Sequence, residues 1–370
     1  MYFRYAIDDE IELELQSPAH TDPVFDLVKR NQAFIGAHLA WAQKIRIRAD
    51  IKRYLARDLL GMADERRWAW VVRYQGQVVG RIGLFVTIPS LQECELYYFL
   101  DEDFTGKGII TRAAQAVTDF AFNVLRLRHV RIGFTPHNEK SGAVAERLGF
   151  QYEYTLREAE QHGDEWRSLV FRGMINTDWH RRQRPSFRYP LGSKLYLRLH
   201  QPYQSGEKFK VLKANQAEFE RWFWWANDDF TLSKEQELTR KTLRRYAHNN
   251  AIGVNIWYDE NLIGFASVGL DVNNHNAHLS YWLDRNARGR GIMTRVTQRL
   301  IATTFAHYHA QRVTILAATE NTSSRALAER LGMTHELIQR DETLINGRFV
   351  DHAQYGLLRD DWLKQREKQV

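Results

Sequence analysis

Cysteine is almost missing from these 370 residues: Cys94 stands alone. One thiol cannot close a disulfide within the chain, and it excludes a metal site built from several cysteines. No stretch reaches the roughly 18 consecutive apolar residues that a membrane-spanning helix needs. The opening MYFRYAIDDEIELEL lacks the basic start and apolar run of a secretory leader. Dense basic runs with interleaved aromatics are also missing, so no direct nucleic-acid contact is expected. These absences predict a cytoplasmic protein with no membrane partner.

Apolar material is plentiful. Hydrophobic residues make up 44% and aromatic ones 12% of the chain, enough for two domains that each bury a core. The formal charge is +7, and it is uneven. The first 183 residues carry 25 basic and 25 acidic side chains, so the whole excess lies in the remainder. A basic surface favours an anionic partner, either a polyphosphate cofactor or an RNA-bearing particle. It is equally compatible with a solvated surface holding a few extra arginines.

The dominant feature is an internal repeat. DEDFTGKGIITR, beginning at Asp101, returns as DRNARGRGIMTR from Asp284, 183 residues later. The same offset takes Asn138 to Asn321, Ser141 to Ser324, and the Ala-Glu-Arg-Leu-Gly run at Ala145 to that at Ala328. Upstream the offset is 184, relating Trp41 to Trp225 and Gly80 to Gly264. Duplication of one lobe explains this. The expected organisation is a first lobe over 1–179, an extended arginine-rich linker over 180–194, and a second lobe over 195–370.

Within one lobe, residues 11–15 alternate as a half-buried strand does. Helices are expected at 22–38 and 47–64, then a hairpin of 68–74 and 77–86 and a strand at 93–100. Apolar residues at helical spacing predict a helix over 108–125, followed by a strand at 129–134 and a short helix at 141–148. The lobe closes on a hairpin of 151–160 and 165–173; its counterpart turns at Asn346-Gly347, a type I′ signal. This order describes an α/β fold with a mixed sheet and helices on its faces.

In each copy a strand leads into Gly-x-Gly and then a helix: Gly106-Lys107-Gly108 and Gly289-Arg290-Gly291. Backbone N–H groups at a helix start, unobstructed by Cβ atoms, cradle phosphate oxygens. The loop is not the dinucleotide motif, since its third glycine is missing and Thr111 fills the place. It also lacks the Lys-Ser/Thr pair of a P-loop.

Together with the segments downstream of it, the loop resembles the GNAT acetyltransferase superfamily, and within it the RimL-like branch that acetylates protein N-termini and small amines. The resemblance rests on Tyr98-Phe-Leu100, Gly106-x-Gly-Ile-Ile-Thr111, Asn138-x-x-Ser141, Glu146-Arg-Leu-Gly-Phe150 and Leu156-Arg-Glu-Ala-Glu160. In the second copy it rests on Tyr281-Trp-Leu283, Gly289-x-Gly-Ile-Met-Thr294, Asn321-x-x-Ser324 and Glu329-Arg-Leu-Gly-Met333. It covers both lobes and implies two acyl-CoA N-acyltransferase lobes in tandem. Acetyl-CoA is implied in a split between the strands ending near Leu100 and Phe134. Its implied contacts are Phe99, Leu100, Gly106, Lys107, Gly108, Ile109, Thr111 and Asn138 in the first lobe. In the second they are Trp282, Leu283, Gly289, Arg290, Gly291, Ile292, Thr294 and Asn321.

Acetyl transfer to an amine needs a base for the nitrogen and a proton donor for the departing thiolate. The resemblance gives the donor's place to Ser141 and Ser324, which are also positioned to cap the helices beginning there. Glu95 and Glu160 are the expected bases of the first lobe; Glu93 shares a strand face with Glu95. All three also read as solvated carboxylates. The second lobe replaces Glu93, Glu95 and Glu160 by Asn276, His278 and Thr343, and His278 can serve as a base. His275 and His278 fall on opposite strand faces, so no metal site is expected there. Trp222 and Trp225 are expected together on a helix, as core or as a lid over the acceptor.

The reading is a tandem acetyl-CoA-dependent N-acetyltransferase, a single chain acting as a pseudo-dimer. Its acceptor is a small-molecule amine or a protein N-terminus, a ribosomal protein among the candidates. The rival is a CoA-binding sensor or scaffold with one or both lobes inactive.

Overall fold

The computed structural model describes residues 1–367. The chain divides into two compact units, Tyr2–Phe187 and the part from Arg188 onward. The first lobe's strands are β1 (Arg4–Ala6), β2 (Ile11–Leu15), β3 (Arg67–Tyr74), β4 (Gln77–Ile88), β5 (Glu93–Leu100), β6 (His129–Phe134), β7 (Gln151–His162) and β8 (Glu165–Ile175). Its helices are α1 (Thr21–Arg30), α2 (Gln32–Gly36), α3 (Ala40–Gln43), α4 (Arg48–Ala63), α5 (Ile109–Asn123) and α6 (Glu139–Arg147).

The second lobe has strands β9 (Tyr189–Pro190), β10 (Leu195–Leu199), β11 (Ala251–Tyr258), β12 (Asn261–Asp271), β13 (Asn276–Leu283), β14 (Arg312–Ala318), β15 (Thr334–Ile345) and β16 (Arg348–Leu358). Its helices are α7 (Ser205–Ala214), α8 (Gln216–Phe219), α9 (Leu232–Ala247), α10 (Ile292–His307), α11 (Thr322–Arg330) and α12 (Arg359–Glu367).

Each lobe is one eight-stranded sheet, ordered β1-β2-β3-β4-β5-β6-β8-β7 in the first and β9-β10-β11-β12-β13-β14-β16-β15 in the second. Neighbours are antiparallel except for one central parallel pair, β5–β6 and β13–β14. That pair is joined by the glycine loop and a long helix, the crossover a parallel connection requires. Helix α5 buries Ile109, Ala113, Val117, Phe120 and Ala121 at helical spacing. On the other face of the sheet, Val24, Leu27 and Val28 of α1 and Ile51 and Leu55 of α4 pack with Val71 and Phe99.

The single helix expected over 22–38 is two, broken at Asn31, whose side-chain amide donates to the Leu27 carbonyl at 3.1 Å. Residues 221–226 are turns rather than helix. Trp222 and Trp225 therefore separate: Trp225 stacks on Phe223 at 5.1 Å, while Trp222 packs beside Ala318, Ile345 and Val350. Segment 180–194, expected to be an extended linker, is anchored along its length. Phe187 is buried against Trp70 and Phe120, and Tyr189–Pro190 pairs with β10. The hairpin turn Asn346-Gly347 has positive φ at both residues, +49° and +77°, as type I′ requires.

Candidate active site

The parallel strands pair over only part of their length. Between β5 and β6 the register runs from Glu93↔His129 to Leu96↔Ile132 and stops, although the strands continue to Leu100 and Phe134. Between β13 and β14 it stops at His278↔Thr314. The right-handed twist of neighbouring strands, with no ladder to restrain it, lets the ends part. A cleft of about 1030 Å³ opens at this split in the first lobe, and one of about 790 Å³ in the second.

The glycine loop lies along one wall. Gly106 and Gly108 have φ of +80° and +70°, Gly289 and Gly291 +75° and +66°. Side-chain-bearing residues rarely adopt such angles, which accounts for glycine here. A Cβ added at any of the four would meet nothing within 4 Å, so the cradle is open. Gly108 and Gly291 cap α5 and α10, and the first N–H groups of each helix have no intrahelical acceptor. The arrangement fits an anionic phosphate group.

Leu100, Ile109, Thr111 and Asn138 line the first cleft; Leu283, Ile292, Thr294 and Asn321 line the second. Phe99 and Trp282 reach it from strands whose side chains here are buried in the core. Lys107 and Arg290 are not part of the lining. Lys107 Nζ sits over the Phe104 ring at 4.7 Å, and the Arg290 guanidinium over Tyr258 at 5.9 Å. Cation–π attraction draws both charges aside from the place expected of them.

The helix caps correct the sequence reading of the serines. Asn138 and Asn321, not the serines, are the N-cap residues, accepting from the N–H groups of Ser141 and Ser324 at 3.2 and 3.1 Å. The serine side chains are thereby released toward the cleft. Ser324 Oγ lies 2.8 Å from the Tyr281 hydroxyl, and the Tyr98 hydroxyl donates to the Ser141 carbonyl at 3.4 Å. Desolvation pushes both phenols up to about 12, so each keeps its proton at neutral pH.

Glu95 and Glu160 both line the first cleft. Burial pushes the Glu95 carboxyl up to about 7; nearby Glu160 and Glu93 add to this and Arg131 opposes it. Glu93 is different. It is buried, pairs with Arg131 at 2.7 Å, accepts from Thr87 at 2.6 Å, and does not line the cleft. In the second cleft His278 occupies the Glu95 position, and desolvation lowers its imidazole below the ordinary value. Thr343, at the Glu160 position, does not line that cleft.

Sequence reading missed two features. His352 lines the second cleft where the first has Leu169, a contrast visible in the repeat once β16 and β8 are aligned. A hairpin latch also recurs: His162 Nε2 bonds the Gly36 carbonyl at 2.7 Å, and Asn346 Nδ2 bonds the Glu220 carbonyl at 2.9 Å. Gly36 and Glu220 are equivalent in the repeat, but the donors are one position out of register, which hides the correspondence.

The family model of the acetyltransferase (GNAT) domain matches the chain twice, over residues 11–151 and 194–334. The chain is 31% identical over 178 residues to YdaF of Bacillus subtilis, covering 48% of this chain and 97% of that protein. It is 27% identical over 156 residues to the ribosomal-protein-serine acetyltransferase of Escherichia coli, covering 42% and 86%. A solved ribosomal L7/L12 alpha-N-protein acetyltransferase in complex with coenzyme A is 21% identical, covering 47% of this chain and 99% of its own, with a TM-score of 0.45. Among the described residues no helix is long and apolar enough to cross a membrane.

Proposed function

Because the chain belongs to the GNAT acetyltransferase family and is an acetyl-CoA-dependent N-acetyltransferase, we propose that each lobe acetylates a primary amine and that the first lobe's acceptor is a protein α-amino group. The observation that carries this is the split between β5 and β6, with an open phosphate cradle on its wall and the Glu95–Glu160 carboxylate pair lining the same cleft. When bound, acetyl-CoA supplies the acetyl group as a thioester. The open glycine loop and the start of α5 hold the phosphates, and Asn138 fixes the helix that presents Ser141. Glu95 takes the proton from the ammonium or amine, with Glu160 as a second carboxylate to hold the cation. Ser141 supplies the proton for the sulfur. In the second lobe Tyr281 and Ser324 form the corresponding donor pair.

The choice of a protein α-amine follows the ribosomal-protein acetyltransferase among the relatives. The excess positive charge after residue 183 suits docking on an RNA-bearing particle. The test is free-thiol release from acetyl-CoA with N-terminal peptides of ribosomal proteins and with polyamines. Peptide turnover by the wild type is expected. Gly108→Trp and Gly291→Trp, whose indoles would stand in the open cradles, should each remove one lobe's share. Turnover with polyamines alone would reassign the acceptor. Coenzyme A binding without thiol release from any amine would instead favour a CoA-sensing scaffold.

A further inference from the structure

The second lobe lacks both carboxylates expected to act as bases, yet one buried histidine lines its cleft. His352 lies on β16 opposite Ala318, at the parted end of β14. It is 8% exposed. Its Nδ1 is 3.1 Å from the Val350 carbonyl, which can only accept, so Nδ1 carries the proton. In the neutral ring Nε2 then holds the lone pair, and it has no hydrogen-bond partner among the described residues. The equivalent residue of the first lobe is Leu169, which fills the same wall with an apolar side chain. Packing therefore does not require an imidazole here.

We propose that His352 is the general base of the second lobe, its Nε2 taking the proton from the acceptor amine. This rests on the reading of that lobe as an acetyl-transfer site. The amine nitrogen forms the new bond to the acetyl carbon as its proton passes to Nε2, and the carbon–sulfur bond breaks. The thiolate takes a proton from the Tyr281–Ser324 hydroxyl pair; that pair is reprotonated from water, and His352 returns its proton to water. Atoms and charge balance without another reactant. His278, the alternative, has its Nδ1 3.4 Å from Thr314 Oγ1, a hydroxyl that can donate or accept, so that contact does not set its tautomer. The cleft's carboxylates, Glu218 and Glu320, are held by Arg288 and Arg348.

The experiment uses the full chain with Gly108→Trp closing the first cradle, so that thiol release reports the second lobe. His352→Gln should lower kcat by about 100-fold, the lower range for loss of a general base. The acceptor KM and the coenzyme A affinity measured by calorimetry should stay within about threefold. His352→Ala should recover activity with added imidazole, which a merely structural histidine would not allow. Nitrogen-15 spectra of the parent should show the His352 proton on Nδ1. Unchanged kcat in His352→Gln, rescue confined to His278→Ala, or a proton on Nε2 would overturn the assignment. No turnover from the second lobe in the parent would overturn it together with the reading beneath it.

Discussion

Arg81 is wholly buried in the first lobe, bonded to Gln16, to Tyr54 and to Asp58, which also accepts from the Tyr97 hydroxyl at 2.8 Å. Tyr97 lines the cleft, so this buried network braces one wall of the site. Asp58→Ala would leave the guanidinium uncompensated, and a loss of about 3–5 kcal/mol is expected, measurable by urea unfolding. The second lobe has Phe265 and Thr242 at these positions and instead buries a Lys208–Glu235 pair at 3.0 Å. Duplicated backbones have thus been stabilised by unrelated polar groups. Glu95 gives a pH prediction. With its carboxyl pushed up to about 7, mainly by desolvation, the fraction of free base rises as pH passes that value. First-lobe kcat/KM, read in the Gly291→Trp background, should climb through about pH 7 and then level. Glu95→Gln should abolish the climb; a flat wild-type profile from about pH 6 to 8 would remove Glu95 from the role.

Strands and helices of the two lobes are nearly superimposable in order, and their junctions do the functional work. The caps at Asn138 and Asn321 are one such junction. Asn321→Ala should cost about 1 kcal/mol, typical for loss of an N-cap, and thiol release from the second lobe should fall with it, because the cap holds the helix that carries Ser324. The hairpin latch is another. Tying the β7–β8 turn to the end of α2 holds Phe34, Ile35 and His38 beside the cleft. His162→Ala removes one hydrogen bond, worth about 1 kcal/mol, and should raise the acceptor KM about fivefold. Coenzyme A affinity should not change; a shift in that affinity instead would mean that the latch serves the cofactor side.

Across the whole chain the two cradles differ in charge. Residues 101–108 carry three carboxylates and one lysine, whereas 284–291 carry one carboxylate and three arginines. Arg288 is paired with Glu218 and Asp101 with Arg30, which narrows the contrast but does not reverse it. Calorimetry should find two coenzyme A sites per chain. The one lost in Gly291→Trp should bind more tightly at low salt and weaken more steeply as salt rises, because exposed charges are screened. Equal salt slopes for the two sites would show that backbone N–H groups, common to both loops, dominate binding.

The sequence by itself determined the duplication, the α/β class and the cradle. Those depend on local patterns: a repeat register, apolar periodicity, and glycines where φ must be positive. The motif resemblance singled out Glu95, Ser141 and Glu160, which line the first cleft, and His278, which lines the second. Tertiary structure decided the rest. The cap passed from serine to asparagine because the helices begin two residues earlier than apolar spacing suggests. Lys107 was drawn aside by Phe104 of its own loop and Arg290 by Tyr258 at the end of β11, a strand distant in sequence. Trp222 left its expected helix for the wall of the second cleft, since turns rather than helical spacing set its direction. His352 gained meaning only when β16, separated from its neighbour β14 by a helix and a strand, came to lie beside the split. Proximity between distant segments is fixed by strand order and packing, and no local pattern encodes it.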